Sequence, residues 1–447
     1  MRFAVTLRAP WRDPAEVLAG FAEEAWALAF LSGGGGDRAR WSYLARDPDA
    51  VLTLRPTDAA DPFEALAGLL GEDAPGLPDG PPFQGGVAGL AAYELGDRVE
   101  PLGLARSRGW PDLAVGRYPA ILAFDHQRRE VVAVGRGADG AAAQAQARRA
   151  LAWADMPPRP LWSGPLTDGL TASPGPAYES AVAQVVSRIR AGEMFQANIA
   201  RPWTGRLVPG AAPFDILIRL AARSAAPFAA YLRLADLAVV SNSPERFLRV
   251  DAAGRAESRP IKGTRPRSPC RIEDAALARQ LRASDKDRAE NLMIVDLMRN
   301  DLARVCTPGS VAVPGLWDLE SFVNVHHLVS TVTGRLAPGR RAVDLLRAAF
   351  PPGSVTGAPK VQAMKTIARL EPPRGPYCGS MFWAGFDGAF DSSVLIRTAA
   401  CARDDGGWRV EARAGAGIVA DSDPAAERRE TEDKIAALVE ALTGPGA

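Results

Sequence analysis

The chain lacks clustered cysteine, which excludes two common ways of stabilising a small fold. Its four cysteines, Cys270, Cys306, Cys378 and Cys401, stand far apart in 447 residues and include no C-x-x-C pair. This spacing argues against a zinc site and against a disulfide framework. We therefore expect reduced thiols that serve as ordinary core residues.

Long apolar runs and an excess of charge of one sign are also missing. No stretch approaches the ~18 consecutive apolar residues of a membrane helix, and residues 1–14 contain no run of signal-peptide length. The 53 Lys+Arg balance 52 Asp+Glu to a net charge of +1, without the cation excess of a nucleic-acid surface. We expect a soluble cytoplasmic protein that binds neither membranes nor nucleic acid.

The residues that are present are typical of a globular protein. The chain is 47% hydrophobic and 23% charged, and its 43 Gly and 37 Pro predict many turns between short strands. The four-glycine run Gly33–Gly36 lacks the Lys-Ser/Thr of a P-loop, so we interpret it as a hairpin connection.

One segment divides the chain. Residues 157–176 (PPRPLWSGPLTDGLTASPGP) repeat Pro and Gly without periodicity, as linkers do. This linker separates an N-terminal region, residues 1–156, from a second domain, residues 177–443. Apolar periodicity predicts three long helices in that domain. They cover roughly residues 273–305, 359–370 and 424–443.

Two of these helices carry pairs of acids three residues apart. Asp287 and Glu290 lie one turn apart on the first, and Glu427 and Glu430 repeat the arrangement on the last. Taken singly, each pair is typical of a solvated helix face. Brought together, the pairs would supply the oxygen ligands that Mg²⁺ prefers.

Two segments offer backbone N–H groups to an anion. Residues 414–419 (AGAGIV) contain Gly415 and Gly417, which leave the backbone open to a carboxylate or phosphate. A glycine-bulged strand beside another backbone is the alternative. Thr356 precedes a helix opened by Pro359, where capping alone would explain the residues as well as anion binding would.

One lysine stands in an unusual setting. Lys262 follows Pro260-Ile261 and precedes Gly263-Thr264, in a segment typical of a strand end. An ordinary lysine amine, with a pKa near ~10.4, costs about 4–5 kcal/mol to keep neutral at pH 7. Burial or a neighbouring cation would lower that cost and produce a nucleophile, and a surface lysine is the alternative.

Together these segments resemble the chorismate-utilising enzymes, the family of anthranilate synthase component I, aminodeoxychorismate synthase component I, and isochorismate and salicylate synthases. Eight segments occur in the family's order and cover nearly all of residues 175–440. They are MFQANIAR (194–201), SNSPERF (241–247), RPIKGTRPR (259–267), DRAENLMIVDLMRNDLARVCTPGS (287–310), VHHLVSTVTGRL (325–336), GSVTGAPKVQAM (353–364), SSVLIRTA (392–399) and AGAGIVADSDPAAERRETEDK (414–434). The resemblance implies an α+β fold, a large two-layer antiparallel β-sheet sandwich flanked by helices.

The resemblance also implies a role for each residue singled out above. It makes Lys262 and Glu245 catalytic, as nucleophile and general acid, and places His327 near the substrate in a role left open. It makes Glu290 and Glu430 the principal Mg²⁺ ligands, with Glu427 and Asp287 as outer or alternative partners. The implied substrate-binding residues are Gln196, Gly263, Thr264, Thr356, Gly357, Arg397, Gly415, Gly417 and Lys434.

Two positions separate the branches of the family. Gln196 stands where isochorismate and salicylate synthases carry a lysine that activates water. Lys262 stands where anthranilate synthases usually carry alanine. The resemblance therefore implies amination of chorismate at C4 through a covalent lysine intermediate, giving 4-amino-4-deoxychorismate for 4-aminobenzoate and folate biosynthesis. The alternatives are an anthranilate synthase component I, aminating at C2, and a non-catalytic regulatory subunit that binds chorismate or tryptophan.

The ammonia source and two departures from the family complete the expectations. No cysteine sits in the G-x-C-x-G context of a glutamine amidotransferase, so we expect ammonia from a separate glutaminase subunit in a heterodimer. Trp383 stands where the family has a tyrosine near the substrate carboxylate. The segment around Ser42 resembles the family's tryptophan pocket, and whether this chain binds tryptophan stays open.

Overall fold

The computed structural model describes residues 1–33, 39–107, 109–223, 225–322 and 325–444. Within them the chain forms short strands throughout, with helices between. The strands are β1 (Phe3–Pro10), β2 (Leu28–Leu31), β3 (Trp41–Ala45), β4 (Ala50–Leu54), β5 (Gly86–Ala91), β6 (Leu113–Tyr118), β7 (Ala120–Asp125), β8 (Glu130–Gly137), β9 (Thr171–Ala172), β10 (Gln196–Arg206), β11 (Phe228–Arg233), β12 (Leu237–Ser243), β13 (Arg246–Val250), β14 (Arg255–Ser258), β15 (Ile261–Pro266), β16 (Ala312–Ser321), β17 (Val325–Arg335), β18 (Gly357–Ala358), β19 (Ser380–Gly385), β20 (Phe390–Val394), β21 (Thr398–Asp404) and β22 (Gly407–Ile418). The helices are α1 (Pro14–Ala19), α2 (Pro62–Leu70), α3 (Gly140–Trp153), α4 (Gly175–Arg190), α5 (Pro213–Arg223), α6 (Arg271–Ala283), α7 (Asp285–Ala303), α8 (Ala342–Ala349), α9 (Lys360–Leu370) and α10 (Pro424–Thr443).

The strands form two antiparallel sheets. The first, of 12 strands, has the order β1-β8-β7-β3-β2-β11-β12-β21-β22-β10-β18, with β9 beside β10. The second, of 10 strands, has the order β15-β17-β14-β13-β20-β19-β5-β6-β4, with β16 beside β17. Strands from both sides of the linker pair directly, β2 with β11 in the first sheet and β5 with β19 in the second. Both sheets therefore run across the predicted division at residues 157–176, which stays a prediction.

Apolar residues on both faces of the strands explain the layered arrangement. In β7, Ile121 and Ala123 belong to a core between the sheets, while Leu122 and Phe124 belong to a core that includes residues of α1, α3, α5 and α10. A second outer core joins strands of the other sheet to α2, α7 and α8. Because side chains alternate along a strand, each sheet buries both faces. The predicted α+β sandwich flanked by helices is confirmed.

Two local predictions meet the structure at particular residues. β2 and β3 pair antiparallel, with Leu28 opposite Ala45, as flanking strands of a hairpin would, and Gly34–Gly36 lie outside the described residues. The single helix predicted over 273–305 is wrong. Ser284 interrupts it with extended backbone angles (φ −72°, ψ 103°), and its Oγ caps α7 by accepting from the N–H of Asp287 at 3.3 Å.

Candidate active site

The predicted nucleophile lies where the two sheets approach each other. A β-carbon built on Gly417 of β22 would lie 3.2 Å from Lys262 Nζ and 2.6 Å from Gln196 Nε2. Gly417 is paired in register with Asn198 of β10, so Gln196 and Gly417 belong to neighbouring strands of the first sheet. Lys262 reaches them from β15 of the second sheet. Glycine at position 417 keeps the space beside the amine open.

A bulge directs Lys262 towards this point. Lys262 lies opposite Leu328 and Thr264 opposite His327, so Gly263 is an extra residue in β15. Its φ of +79° is in the left-handed region, and a β-carbon there would lie 2.9 Å from Cβ and Cγ of Asp287. Only glycine fits without displacing α7, and bulges of this kind re-aim neighbouring side chains.

Glu245 has the environment of a general acid. It is 5% exposed and lies between β12 and β13. Burial raises the pKa of Glu245 to about 7, against the opposing effects of the Ser354 hydroxyl, the charge of Lys262 and the N–H of Ile261. A carboxyl with this pKa is about half protonated at pH 7, so it can donate a proton there, and it interacts with the predicted nucleophile.

The two carboxylates predicted as principal metal ligands, Glu290 of α7 and Glu430 of α10, interact electrostatically. Burial raises the pKa of Glu290, and the charges of Asp287 and Glu430 add to this, while Lys262 and Lys286 oppose it. Burial also disfavours ionisation of Glu430, but Lys434, Lys286 and Lys262 outweigh it, so the pKa of Glu430 lies below its usual value. The two carboxylates therefore share one electrostatic environment with Lys262.

The other two predicted metal ligands have partners within the protein. Glu427 is 4% exposed, accepts a hydrogen bond from Ser422 Oγ at 2.7 Å, and has a pKa raised by burial and by Glu430. Asp287 accepts from Arg265 Nη2 at 3.3 Å. Both contacts suit the outer role that the sequence assigned to these residues.

The donor chemistry of the cleft fits a magnesium ion. Within the described ranges, no three acidic, histidine or cysteine side chains lie close enough together to hold a metal by themselves. Mg²⁺ in enzymes is commonly held by one or two carboxylates together with waters and an anionic substrate. Glu290 and Glu430 supply that number of carboxylates, and their unfavourable proximity is the kind that a cation relieves.

Cationic groups accompany these carboxylates. Lys434 donates from Nζ to the carbonyl oxygen of Gly415 at 3.0 Å and pairs with Glu430. Arg397 lies between β20 and β21 with a left-handed φ of +54°, and burial lowers the pKa of its guanidinium. Non-glycine residues in this conformation cluster at functional sites. Both cations suit a dianionic substrate.

One aromatic hydroxyl that interacts with Arg397 was missed by the sequence interpretation. Tyr377, 6% exposed, interacts electrostatically with Arg397. Trp383, which was assigned this place, instead stacks on Phe83 at 4.9 Å between ring centroids and lines a separate cavity. That Trp383 takes the place of the family tyrosine stays a prediction. The sequence feature that marks Tyr377 is its position three residues after Arg374, in a turn rich in Pro and Gly.

The remaining predicted residues surround the same strands. Thr264 Oγ1 and His327 Nδ1 share a hydrogen bond of 3.0 Å. Thr356 is fully buried and donates from Oγ1 to the carbonyl oxygen of Pro352, so its hydroxyl is already used within the protein. Gly357 is paired with Ala197 in β18–β10, next to Gln196.

A buried ion pair, also missed from the sequence, holds these segments together. Arg374 makes a bidentate pair with Glu371 and donates to the carbonyl oxygens of Val355 at 3.0 Å and Asn198 at 2.7 Å. Glu371 accepts from the N–H of Ala200 at 2.7 Å. The pair joins β10 to the turn that leads into Thr356.

A second cavity, of about 470 Å³, lies between the sheets. Trp41, Tyr43 and Trp383 line it, but none of the residues around Lys262 does. Ser42 is fully buried on the opposite face of β3, where it hydrogen-bonds His126 Nε2 at 2.7 Å.

Among the residues described, no helix has the length and apolarity that a membrane crossing needs.

Comparison with known proteins gives a consistent result. The family model described as "chorismate binding enzyme" matches residues 29–440. The chain is 41% identical to aminodeoxychorismate synthase component 1 of Klebsiella aerogenes, covering 97% of this chain and 98% of that protein. It is 42% identical to anthranilate synthase component 1 of Streptomyces coelicolor, covering 91% and 81%. The structure of anthranilate synthase component I from Streptococcus pneumoniae superposes with a TM-score of 0.79 at 28% identity, covering 91% and 93%.

Proposed function

The chain belongs to the family of chorismate binding enzymes, and on that premise we propose that it replaces the 4-hydroxyl of chorismate with an amino group. The product is 4-amino-4-deoxychorismate, a precursor of 4-aminobenzoate and folate. Relatives that aminate at C4 and relatives named anthranilate synthase have nearly equal identity to this chain, 41% and 42%. Overall similarity therefore does not separate the two activities, and the choice depends on the site.

The observation that carries the proposal is the position of Lys262. Its amine lies beside Gly417 and Gln196 in the cleft and within the electrostatic reach of Glu245, Glu290 and Glu430. A surface lysine would have none of these neighbours. A nucleophile at this point occupies C2 of the ring, which leaves C4 for the incoming nitrogen.

The reaction then follows from the groups in the cleft. Lys262 Nζ bonds to C2 as the C4–O bond breaks, and the carboxyl of Glu245 gives its proton to the leaving hydroxyl, which departs as water. Ammonia bonds to C4 as the bond between C2 and the lysine breaks, which restores the neutral amine of Lys262, and one proton of the new ammonium group returns to the carboxylate of Glu245. The sum is chorismate plus ammonia giving 4-amino-4-deoxychorismate plus water.

The remaining residues bind and orient the substrate. We assign Arg397, with Tyr377 beside it, to the enolpyruvyl carboxylate, which a planar guanidinium can bind in bidentate fashion. The backbone at Gly415 and Gly417 faces the same cleft. Glu290 and Glu430 would hold Mg²⁺, with Glu427 and Asp287 outside them, and the ion would bind the ring carboxylate and neutralise its charge.

We also propose a separate glutaminase subunit as the source of ammonia and the cytoplasm as the compartment. The Klebsiella aerogenes relative is itself named as component 1 of its enzyme. All four cysteines are free, and three of them are buried, which suits a reducing compartment.

The substitution Lys262→Ala tests the proposal. The purified chain is incubated with chorismate, Mg²⁺ and an ammonium salt, and the products are separated by chromatography. We expect 4-amino-4-deoxychorismate from the unmodified protein, loss of that product in Lys262→Ala, and some anthranilate in its place. Lys365→Ala, at an exposed lysine of α9, is the matched control and is expected to keep full activity.

Three results would count against the proposal. Anthranilate as the main product of the unmodified protein would identify C2 amination instead. Chorismate binding without turnover at any ammonium concentration would favour a regulatory subunit. Full C4 activity in Lys262→Ala would remove the covalent step.

A further inference from the structure

The helix that carries Glu290 contacts the strand that carries Lys262 at two points one helical turn apart. At the first, Gly263 of β15 lies against Asp287 of α7, where even a β-carbon would come within 2.9 Å. At the second, Asn291 of α7 donates from Nδ2 to the carbonyl oxygen of Pro260 at 3.4 Å. The two contacts bracket Lys262 on the strand and Glu290 on the helix.

Asn291 is itself held in place from the other side. Its side chain is fully buried, and its Oδ1 accepts a hydrogen bond from Ser330 Oγ of β17. Ser330 Oγ in turn accepts from the N–H of Trp317 at 3.0 Å, and the N–H of Ser330 donates to the same Pro260 oxygen at 3.2 Å. Both ends of the amide are therefore used, which fixes its orientation.

These contacts lie on either side of Lys262 in the chain, where they can orient its amine. The Pro260–Ile261 peptide, one residue before Lys262, is held by Asn291 and Ser330, and the bulge at Gly263 follows Lys262 directly. The amine reaches the cleft from a segment anchored on both sides. Holding a reacting group within a fraction of an ångström of its productive position is worth large factors in rate.

We infer that Asn291 is a positioning residue for the nucleophilic lysine and thereby determines which ring carbon of chorismate receives nitrogen. The inference rests on the proposed C4 amination. With the amine aimed at C2, the lysine bonds there and ammonia enters at C4. With the amine displaced, C2 stays open, ammonia bonds to it directly as the C4–O bond breaks, and the product after loss of pyruvate is anthranilate.

The test compares product ratios in Asn291→Ala and the unmodified protein. Both receive chorismate, Mg²⁺ and ammonium salt, and 4-amino-4-deoxychorismate and anthranilate are quantified together. We expect the ratio of anthranilate to the C4 product to rise about tenfold in the variant, the order expected for one lost buried hydrogen bond. A loss of folded protein lowers both products alike and leaves their ratio unchanged.

Asn300→Ala is the matched control, because Asn300 is an exposed asparagine of the same helix. It makes the same change of side chain and is expected to keep the original product ratio. Ser330→Ala removes the partner of Asn291 with a smaller truncation and is expected to shift the ratio in the same direction. It serves as the test if Asn291→Ala does not fold.

An unchanged product ratio in folded Asn291→Ala, or in Ser330→Ala if the first variant is insoluble, would overturn the inference. The unmodified protein separates this failure from failure of the proposed function. If it forms 4-amino-4-deoxychorismate while the variants keep its ratio, C4 amination stands and the positioning role of Asn291 falls. If it forms mainly anthranilate, the proposed function falls first.

Discussion

At the scale of single residues, the site depends on carboxyl groups in different electrical environments. Glu245 is buried, and its pKa of about 7 leaves about half of it protonated at pH 7 and most of it protonated at lower pH. Glu430 lies among Lys434, Lys286 and Lys262, and its pKa falls below the ordinary value. One carboxyl is thus suited to donate a proton and the other to hold a cation. The same residue type performs both tasks because its neighbours differ.

The protonation of Glu245 gives a prediction for pH dependence. Because the acid form is the active one, kcat/KM should fall as the pH rises through about 7. Since the pKa is raised on folding, protonation also favours the folded state, and this stabilisation is lost as the pH rises through the same value. Glu245→Gln should lower kcat by about a hundredfold or more and remove that limb of the pH profile.

Initial-rate measurements between pH 5.5 and 9 on both proteins check this, with the melting temperature recorded at each pH. Glu257→Gln, at a partly buried glutamate of the neighbouring β14, is the control and should retain the limb near pH 7. Persistence of that limb in Glu245→Gln would transfer the role of acid to another group.

At this scale the sequence draws attention to individual residues but not to their distant partners. Lys262 stands out by its local setting, and Glu290 and Glu430 by the family resemblance, and their roles stay predictions. Tyr377 and Asn291 were missed because their significance depends on a partner distant in sequence, Arg397 for one and Pro260 for the other. Neither contact has a periodicity that a single sequence reveals.

At the scale of elements, a buried ion pair sets the position of β10. The pair of Arg374 and Glu371 lies next to the end of α9, and it binds the backbone of β10 at Asn198 and Ala200. Burying two charges is costly, so such a pair is tolerated where its hydrogen bonds are complete. Here it fixes the strand that brings Gln196 to the cleft.

Removing one partner of this pair should destabilise the protein strongly. Arg374→Met leaves Glu371 buried without its cation, and we expect the free energy of unfolding to fall by about 3–5 kcal/mol. Urea unfolding followed by circular dichroism measures it. Arg128→Met is the control, since Arg128 forms only an exposed pair with Glu130 at 3.9 Å and should change stability by less than about 1 kcal/mol. A loss below 1 kcal/mol in Arg374→Met would show that the pair is dispensable.

The elements themselves were largely predictable from periodicity. α9 and α10 begin within a residue of the predicted positions, because Pro359 and Pro424 mark their starts. The break at Ser284 was not predicted, since the apolar pattern continues through it and only its capping of Asp287 reveals the new start. Capping competes with helix continuation at serine, and tertiary contacts decide which prevails.

At the scale of the whole molecule, two sheets shared across the linker should make folding cooperative. β2 pairs with β11, and β5 pairs with β19. Each side of residues 157–176 would therefore expose an unpaired strand edge if it were separated from the other. We expect calorimetry to show one unfolding transition, and the separately expressed fragments 1–156 and 157–447 to be unfolded or aggregated. Two resolved transitions, or a folded fragment with dispersed amide resonances, would contradict this.

The amino-acid composition indicates a globular protein, but it does not indicate that both sheets contain strands from both sides of the linker. The nearly continuous apolar runs in β7 and β19 are typical of strands buried on both faces, yet nothing in either strand specifies its partner. The linker has the composition of a domain boundary, and the strand order is set by contacts between distant segments. A single sequence does not show which strands pair when they are this far apart in the chain.

The pairing of β10 with β22 has a consequence for the protein as it is made. Ribosomes release the amino-terminal side first. Lys262 and Glu290 have therefore emerged long before Gly417, which completes the sheet beside Asn198. Until then the edge of β10 that pairs with β22 is open to solvent, and the residues of the proposed site are only partly assembled. The proposed site is therefore complete only when β22, the strand that carries Gly417, pairs with β10.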